Sequence, residues 1–191
     1  MWILEELGLP HEHVDFDHTK VKLHKTPEFL AMNPNGHVPA FVDGDLVMWE
    51  SFAINLYLAE NYGNGAFLGP SAAERAAIYK WTMWGVCELE GPADHAKAGQ
   101  QRMLLPHDWL VDRYKVVEGA LATRPYLAAD RFTVADLNVL SLLFRPTLAS
   151  NDVSSLPRAA DWVRRIAARP AYLKVMEQRA RCFGTDRFRP A

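Results

Sequence analysis

Two short stretches of the chain carry residue types that could bind a peptide-like ligand. The first reads Asn35-Gly36-His37-Val38-Pro39, at the entrance to an apolar run. If the Val38–Pro39 bond is cis, the turn exposes the Val38 N–H and C=O, which could pair with an extended peptide. An ordinary turn before an edge strand is the alternative, since proline there simply avoids the ladder.

The second stretch is Trp49-Glu50-Ser51, where a predicted strand runs directly into a helix. The Ser51 hydroxyl and the first free N–H groups of that helix suit a carboxylate. Glu50 beside them could accept from an ammonium, so the pair suits an α-amino acid head. The alternative is that Ser51 is only the N-cap of the helix.

Histidines offer two further hypotheses. His37 precedes Val38 and could meet a second carboxylate of the same ligand. His11 and His13 lie on one face of a predicted strand, with His18 and His24 nearby. No cysteine or acidic spacing completes a metal site there, so we predict none.

Three more positions on predicted helices call for interpretation. Met83 and Cys87 lie four apart and could line an apolar pocket, although core packing is the simpler interpretation. Thr133-Val134-Ala135-Asp136 has the spacing of a capping box, which indicates a structural role for Asp136.

No Ser/His/Asp order, phosphate-binding glycine loop or metalloprotease motif occurs.

The elements that must position these residues follow from local patterns. Alternation predicts a strand over His11–Phe16, and Asp43-Gly44-Asp45 predicts a hairpin between residues 40–42 and 46–49. Helices are predicted at 2–7, after Thr26, over 52–62 and almost everywhere beyond Ser71. Pro157 and Pro170 mark the first turns of the last two helices.

Composition and charge divide the chain near its only linker-like stretch, residues 63–70. Residues 1–62 hold 3 Lys or Arg and 10 Asp or Glu, whereas residues 63–191 hold 18 and 13. We therefore predict an N-terminal domain over 1–62, a linker over 63–70 and a helical domain over 71–191.

The same composition limits the classes of partner and compartment. Acidic residues interleave with the basic ones, which argues against nucleic acid as a partner. The longest apolar-rich run, near 137–144, is too short to span a bilayer. Two cysteines and no secretory leader pattern favour the cytoplasm.

Taken together, several stretches resemble the cytosolic glutathione transferase superfamily, most closely its bacterial members. They are LEELGLP (4–10), PEFL (27–30), NPNGHVP (33–39), DGD (43–45), WESFAI (49–54), DRFTVAD (130–136) and ARP (168–170). The resemblance implies an α+β fold: a thioredoxin-like α/β domain, here incomplete at its N-terminus, followed by an all-α helical-bundle domain.

The resemblance also implies a glutathione site. The Val38 backbone would pair with the cysteinyl part of glutathione, and Pro39 would be the cis-proline. Glu50 and Ser51 would hold the γ-glutamyl head.

Further positions follow from the same resemblance. His37 and, less directly, Lys25 would meet the glycyl carboxylate of glutathione. Met83 and Cys87 would touch the second-substrate pocket between the domains.

The function implied is conjugation of the glutathione thiolate to small apolar electrophiles in detoxification, by a homodimer with glutathione as co-substrate and no metal. A glutathione-dependent disulfide reductase or isomerase is one alternative, and a non-catalytic glutathione-binding module is another. In the family, a first strand and the start of the first helix carry the catalytic Ser, Tyr or Cys ahead of the stretch that begins here at Leu4. We therefore assign no catalytic residue and expect Met1 to be an internal methionine of a longer protein.

Overall fold

The computed structural model describes residues 1–14, 22–90, 107–143 and 155–183. Within these ranges a short N-terminal helix and a second helix precede a β-hairpin, and helices make up almost all of the remainder. The elements are α1 (Trp2–Leu7), a 3-10 turn (Leu23–Lys25), α2 (Pro27–Met32), β1 (Ala40–Asp43), β2 (Leu46–Trp49), α3 (Ser51–Tyr62), α4 (Ala72–Trp84), a π-helical segment (Gly85–Glu90), α5 (His107–Ala120), α6 (Val134–Leu143), α7 (Pro157–Ala167) and α8 (Pro170–Phe183). This arrangement is the expected α+β fold.

Local signals set several helix boundaries, as predicted. α1 ends at Gly8, whose φ of 64° lets its N–H reach the Glu5 carbonyl at 3.2 Å. α2 begins after Thr26, whose hydroxyl accepts from the Phe29 N–H at 3.4 Å. α4 begins after Ser71, whose hydroxyl accepts from the Glu74 N–H at 3.1 Å.

The predicted hairpin is confirmed. β1 and β2 pair antiparallel with Ala40 opposite Trp49 and Asp43 opposite Leu46. Gly44, with a φ of 58°, forms the turn. Phe41 lies on the face towards α3, where its ring is 6.3 Å from that of Tyr57.

The predicted strand over His11–Phe16 is wrong for the residues that can be compared. Residues 11–14 are irregular, and residues 15 and 16 lie outside the described ranges. A strand requires a hydrogen-bonding neighbour, and the described residues contain only the two-stranded sheet of β1 and β2. The alternating pattern at His11 therefore has no ladder to join there.

The core of the helical region is built around α6. Nearly every residue of this helix is buried, and α3, α4 and the π-helical segment pack against it. Trp162 of α7 is also fully buried. Among the described helices, none has the length and apolar character needed to cross a bilayer.

One buried carboxylate, that of Asp136, accepts hydrogen bonds from three segments. Its Oδ1 accepts from the Leu127 N–H and the Trp162 Nε1–H, both at 2.9 Å. Its Oδ2 accepts from the Thr133 N–H at 2.9 Å and the Thr133 hydroxyl at 3.0 Å. Burial raises the pKa of Asp136 above its usual value, and these four donors oppose that rise.

Thr133 and Asp136 thus form only one of the two hydrogen bonds of a capping box. The acid reaches back to the Thr133 N–H, as predicted, but the Thr133 hydroxyl donates to Asp136 rather than accepting from its N–H. Asp136 is used structurally, because all four of its contacts are to groups that hold the fold.

We expect Asp136→Asn to lower the free energy of unfolding by about 3 kcal/mol, because the new amide NH₂ would face two donors. Thr133→Val is the matched control, since it keeps nearly the same volume and removes only the hydroxyl donor, so it should cost about half as much. Denaturant unfolding followed by circular dichroism measures both. Equal losses would show that the carboxylate contributes no more than one hydrogen bond.

Candidate functional site

The hairpin brings the two predicted ligand-binding stretches to the same place. Ala40 and Trp49 form the last pair of the ladder. Val38 and Pro39 precede Ala40, and Glu50 and Ser51 follow Trp49, so all four lie just beyond that pair at one end of the hairpin. The sequence predicted each stretch, and the register of β1 with β2 places them side by side.

The Val38 backbone is open at this end. The Val38–Pro39 bond is cis, as the resemblance implied, and the Val38 residue is 54% exposed. Within the described part of the chain, no hydrogen bond reaches the Val38 N–H or C=O. Both groups could therefore pair with a ligand.

Asn33 shapes the loop before Val38, and the sequence analysis missed it. Its side chain is almost fully buried, and its Nδ2 donates to the His37 carbonyl at 2.7 Å. Its Oδ1 accepts from the Asn35 N–H at 3.1 Å. An asparagine that bonds the backbone two residues ahead is typical of a turn, so the Asn-Pro-Asn-Gly run was the signal that could have identified it.

Lys25 lies against the same loop. Its Nζ donates to the Gly36 carbonyl at 2.7 Å, which places the ammonium next to His37. A Cβ on Gly36, whose φ is 59°, would stand 2.8 Å from that Nζ and 3.0 Å from the His24 carbonyl oxygen. The close packing therefore requires glycine. An ammonium has three donors, so Lys25 retains capacity for an anion.

At the junction between β2 and α3, Ser51 is not the N-cap of the helix. The alternative interpretation, in which Ser51 is only an N-cap, is therefore wrong. Glu50 occupies the N-cap position, and Ser51 is the first residue of α3. The Glu50 carbonyl accepts from the Ile54 N–H at 3.0 Å, but its side chain caps nothing. The first N–H groups of α3 thus lack the side-chain cap that Thr26 gives α2 and Ser71 gives α4.

Glu50 also adopts an uncommon backbone conformation, with φ 71° and ψ 108°. A positive φ costs a residue with a Cβ about 1 kcal/mol or more. Such strain is frequently found at ligand sites. Here it turns the chain abruptly from strand to helix, so that the α3 N-terminus lies beside Val38.

Met83 and Cys87 are not core residues, so that interpretation is wrong. Met83 is 56% exposed, and Cys87 is an exposed free thiol. Cys87 lies in the π-helical segment, a helical irregularity often found at functional sites. Their contact with a second substrate stays a prediction.

A separate cavity and the histidine metal site are two further candidates for a binding site. An open cavity of about 560 Å³ lies between the end of α5 and α7, lined in part by Arg124, Arg158 and Arg165. None of the predicted site residues lines it. Among the described residues, no group of three or more His, Cys, Asp or Glu side chains is disposed to hold a metal ion, and His18 lies outside them.

Comparison with known proteins identifies the family. Residues 1–60 match the family model "Glutathione S-transferase, N-terminal domain", and residues 110–170 match "Glutathione S-transferase, C-terminal domain". Glutathione S-transferase 3 of Zea mays is 37% identical over 198 residues, covering 91% of this chain and 85% of that protein. The chain belongs to the glutathione S-transferase family.

One further relative of this glutathione S-transferase is named for a different activity, and a solved structure shows the same fold. The disulfide-bond oxidoreductase YfcG of Escherichia coli is 30% identical, over 86% of this chain and 85% of the relative. The crystal structure of glutathione transferase URE2P6 from Phanerochaete chrysosporium, in complex with oxidized glutathione, superimposes with a TM-score of 0.80 at 29% identity. The superposition covers 94% of this chain and 89% of that one.

We expect Asn33→Ala to lower the free energy of unfolding by about 2 kcal/mol, because it removes buried hydrogen bonds and leaves the His37 carbonyl without its donor. Asn35→Ala is the control, since Asn35 is exposed and we expect it to change stability by less than about 1 kcal/mol. Thermal unfolding of both variants measures the difference. Equal effects would contradict the assignment of Asn33 as the residue that shapes the loop.

Proposed function

We propose that the chain binds glutathione at the end of the hairpin and conjugates its thiolate to small apolar electrophiles. The observation that carries the proposal is the N-terminus of α3, which has no side-chain cap, at the same end of the hairpin as the Val38 backbone, which is unpaired among the described residues. An anion site and a peptide edge thereby lie at the same end of the hairpin. Family membership supports glutathione as the ligand.

Each part of glutathione has a counterpart of suitable chemistry. The γ-glutamyl carboxylate accepts from the Ser51 hydroxyl and the first N–H groups of α3, where the helix dipole favours negative charge. The Glu50 carboxylate accepts from the γ-glutamyl ammonium. The Val38 N–H and C=O pair with the cysteinyl residue, and His37 and Lys25 meet the glycyl carboxylate.

The proposed reaction is substitution or addition at carbon. The thiolate forms an S–C bond with the electrophile, while a leaving group departs or a neighbouring carbon takes a proton. A free thiol has a pKa of about 8.5, so ionising it at neutral pH is the requirement for this step. We assign no thiol-activating residue, and we propose that Met83 and Cys87 border the electrophile.

Disulfide reduction with glutathione is a second candidate, because one relative is a disulfide-bond oxidoreductase. Parallel assays distinguish the two activities. Under the first proposal the protein accelerates glutathione conjugation of 1-chloro-2,4-dinitrobenzene, with release of chloride. Under the second it accelerates glutathione-dependent reduction of 2-hydroxyethyl disulfide. Glutathione binding without either activity would favour a binding module.

The remaining proposals concern organisation. We propose a domain boundary at residues 63–70. Arg131 of the helical region contacts this linker, donating to the Ala66 and Gly65 carbonyls at 2.9 and 3.1 Å. We also propose a cytoplasmic homodimer with the acidic N-terminal domain of one copy against the basic helical domain of the other. The opposite net charges of residues 1–62 and 63–191 support this arrangement.

We expect Ser51→Ala to weaken glutathione binding about tenfold, or about 1.4 kcal/mol, since it removes a charge-assisted hydrogen bond. Isothermal titration calorimetry measures the affinity. Ser71→Ala is the matched control: it deletes the α4 cap, costs about 1 kcal/mol of stability and leaves binding unchanged. Binding by Ser51→Ala that equals the parent's would contradict the head-group site.

The homodimer is tested by light scattering. We expect a mass near twice that of the chain at low salt and partial dissociation at about 1 M salt, where charges more than ~3 Å apart are screened. A monomer at every salt concentration would contradict it.

A further inference from the structure

A chain of three polar side chains connects α3 to α4 through α6. The Asn55 Nδ2 donates to the Asn138 Oδ1 at 2.7 Å, and the Asn138 Nδ2 donates to the Thr82 hydroxyl at 3.2 Å. Asn138 is fully buried and Thr82 is 3% exposed. In such a place a broken hydrogen bond is not replaced by water, so the three helices are held in one relative position.

The two ends of this chain lie at the two parts of the proposed site. Asn55 is one helical turn beyond Ser51, which begins α3. Thr82 immediately precedes Met83, in the last turn of α4 before the π-helical segment. The hydrogen-bond chain therefore runs from the proposed head-group site of glutathione to the proposed electrophile side.

A direct packing contact accompanies the hydrogen bonds. Gly85, the first residue of the π-helical segment, is buried against α3 and α6. A Cβ at Gly85 would lie 3.8 Å from the Phe52 ring and 3.4 Å from a Leu142 methyl. Phe52 follows Ser51 directly, so the first turn of α3 touches the segment that carries Cys87.

We propose that Asn55, Asn138 and Thr82 are positioning residues that couple occupancy of the head-group site to the position of the π-helical segment. The proposal rests on the glutathione site proposed above. A ligand that draws in the first turn of α3 moves Asn55, and the buried chain transmits that movement through α6 to Thr82. Leaving the buried Asn138 amide or Thr82 hydroxyl without its partner would be costly, so a shift of Asn55 is followed by the other two side chains.

Cys87 is a reporter for this coupling, because its exposed thiol lies within the π-helical segment. Iodoacetamide alkylates the thiol: an S–C bond forms, iodide leaves and the thiol proton passes to buffer. Peptide mass spectrometry resolves the rate at Cys87 from that at Cys182. S-methylglutathione occupies the site without contributing a thiol of its own. We expect saturating S-methylglutathione to change the Cys87 rate about fivefold, a typical coupling between two sites.

Variants separate coupling from simple shielding of Cys87 by the ligand. In Asn55→Ala and Thr82→Val we expect S-methylglutathione to bind but to leave the Cys87 rate unchanged. Thr82→Ser keeps the hydroxyl and should restore the change. Asn61→Ala is the matched control on α3, since Asn61 is exposed and its side chain bonds, among the described residues, only the Tyr57 carbonyl of its own helix.

Each outcome decides the proposal. A Cys87 rate that is insensitive to S-methylglutathione, although calorimetry shows binding, overturns the coupling and leaves the proposed function standing. A change that persists in Asn55→Ala and Thr82→Val means that the ligand shields Cys87 directly, which also overturns it. Absence of S-methylglutathione binding by the parent protein overturns both. Should Asn55→Ala fail to fold by circular dichroism, the Thr82→Val and Thr82→Ser pair decides alone.

Discussion

The buried carboxylate of Asp136 is the interaction on which the helical region depends. It satisfies donors from the loop at Leu127, from the start of α6 and from Trp162 of α7. Removing water from a carboxylate is costly, and only a full set of donors makes the arrangement tolerable. With its N-terminus held in this way, α6 lies buried in the core and presents Asn138 towards α3 and α4.

An ion pair at the edge of this core joins the first helix to the residue that immediately precedes the last helix. Glu6 of α1 receives two hydrogen bonds from Arg169 at 2.7 and 2.6 Å and a third from the Trp2 indole at 2.9 Å. The Arg169 guanidinium also stacks 4.0 Å over the Phe132 ring. The hydrogen bonds to the Glu6 carboxylate raise the pKa of Arg169 above its usual value, and burial opposes that rise. Together the contacts orient α1 on the helical region. Beside them Ile3 is almost completely buried, so apolar packing provides most of the adhesion.

The candidate site uses the rigidity of these elements. Val38 and Glu50 belong to loops, yet the hairpin register and the buried first turn of α3 hold both loops at one end of β1 and β2. The strained backbone of Glu50 persists because the strand before it and the helix after it are both fixed. A ligand at the end of α3 therefore meets groups that are held close to their bound positions, and only the first turn of α3 has to adjust, which keeps the entropy cost of binding low.

Features whose causes are local can be predicted from the order of the residues alone. The caps at Thr26 and Ser71, the Asp43-Gly44-Asp45 turn and the stop at Gly8 each depend on residues a few positions apart, and all are present. The binding roles of Val38 and Ser51 also rest on residue type and near neighbours, and they stay predictions.

Features that depend on distant partners appear only in the folded chain. A strand at His11 needs a neighbour that the pattern cannot reveal, and none of the described residues provides one. The position of Ser51 inside α3 follows from the φ of Glu50, and the exposure of Met83 from how α4 is packed. Asn55 and Asn138 meet across 83 positions of sequence. Hydrogen bonds of that kind are selected by the packing of helices, which brings the two side chains within reach only after the chain has folded.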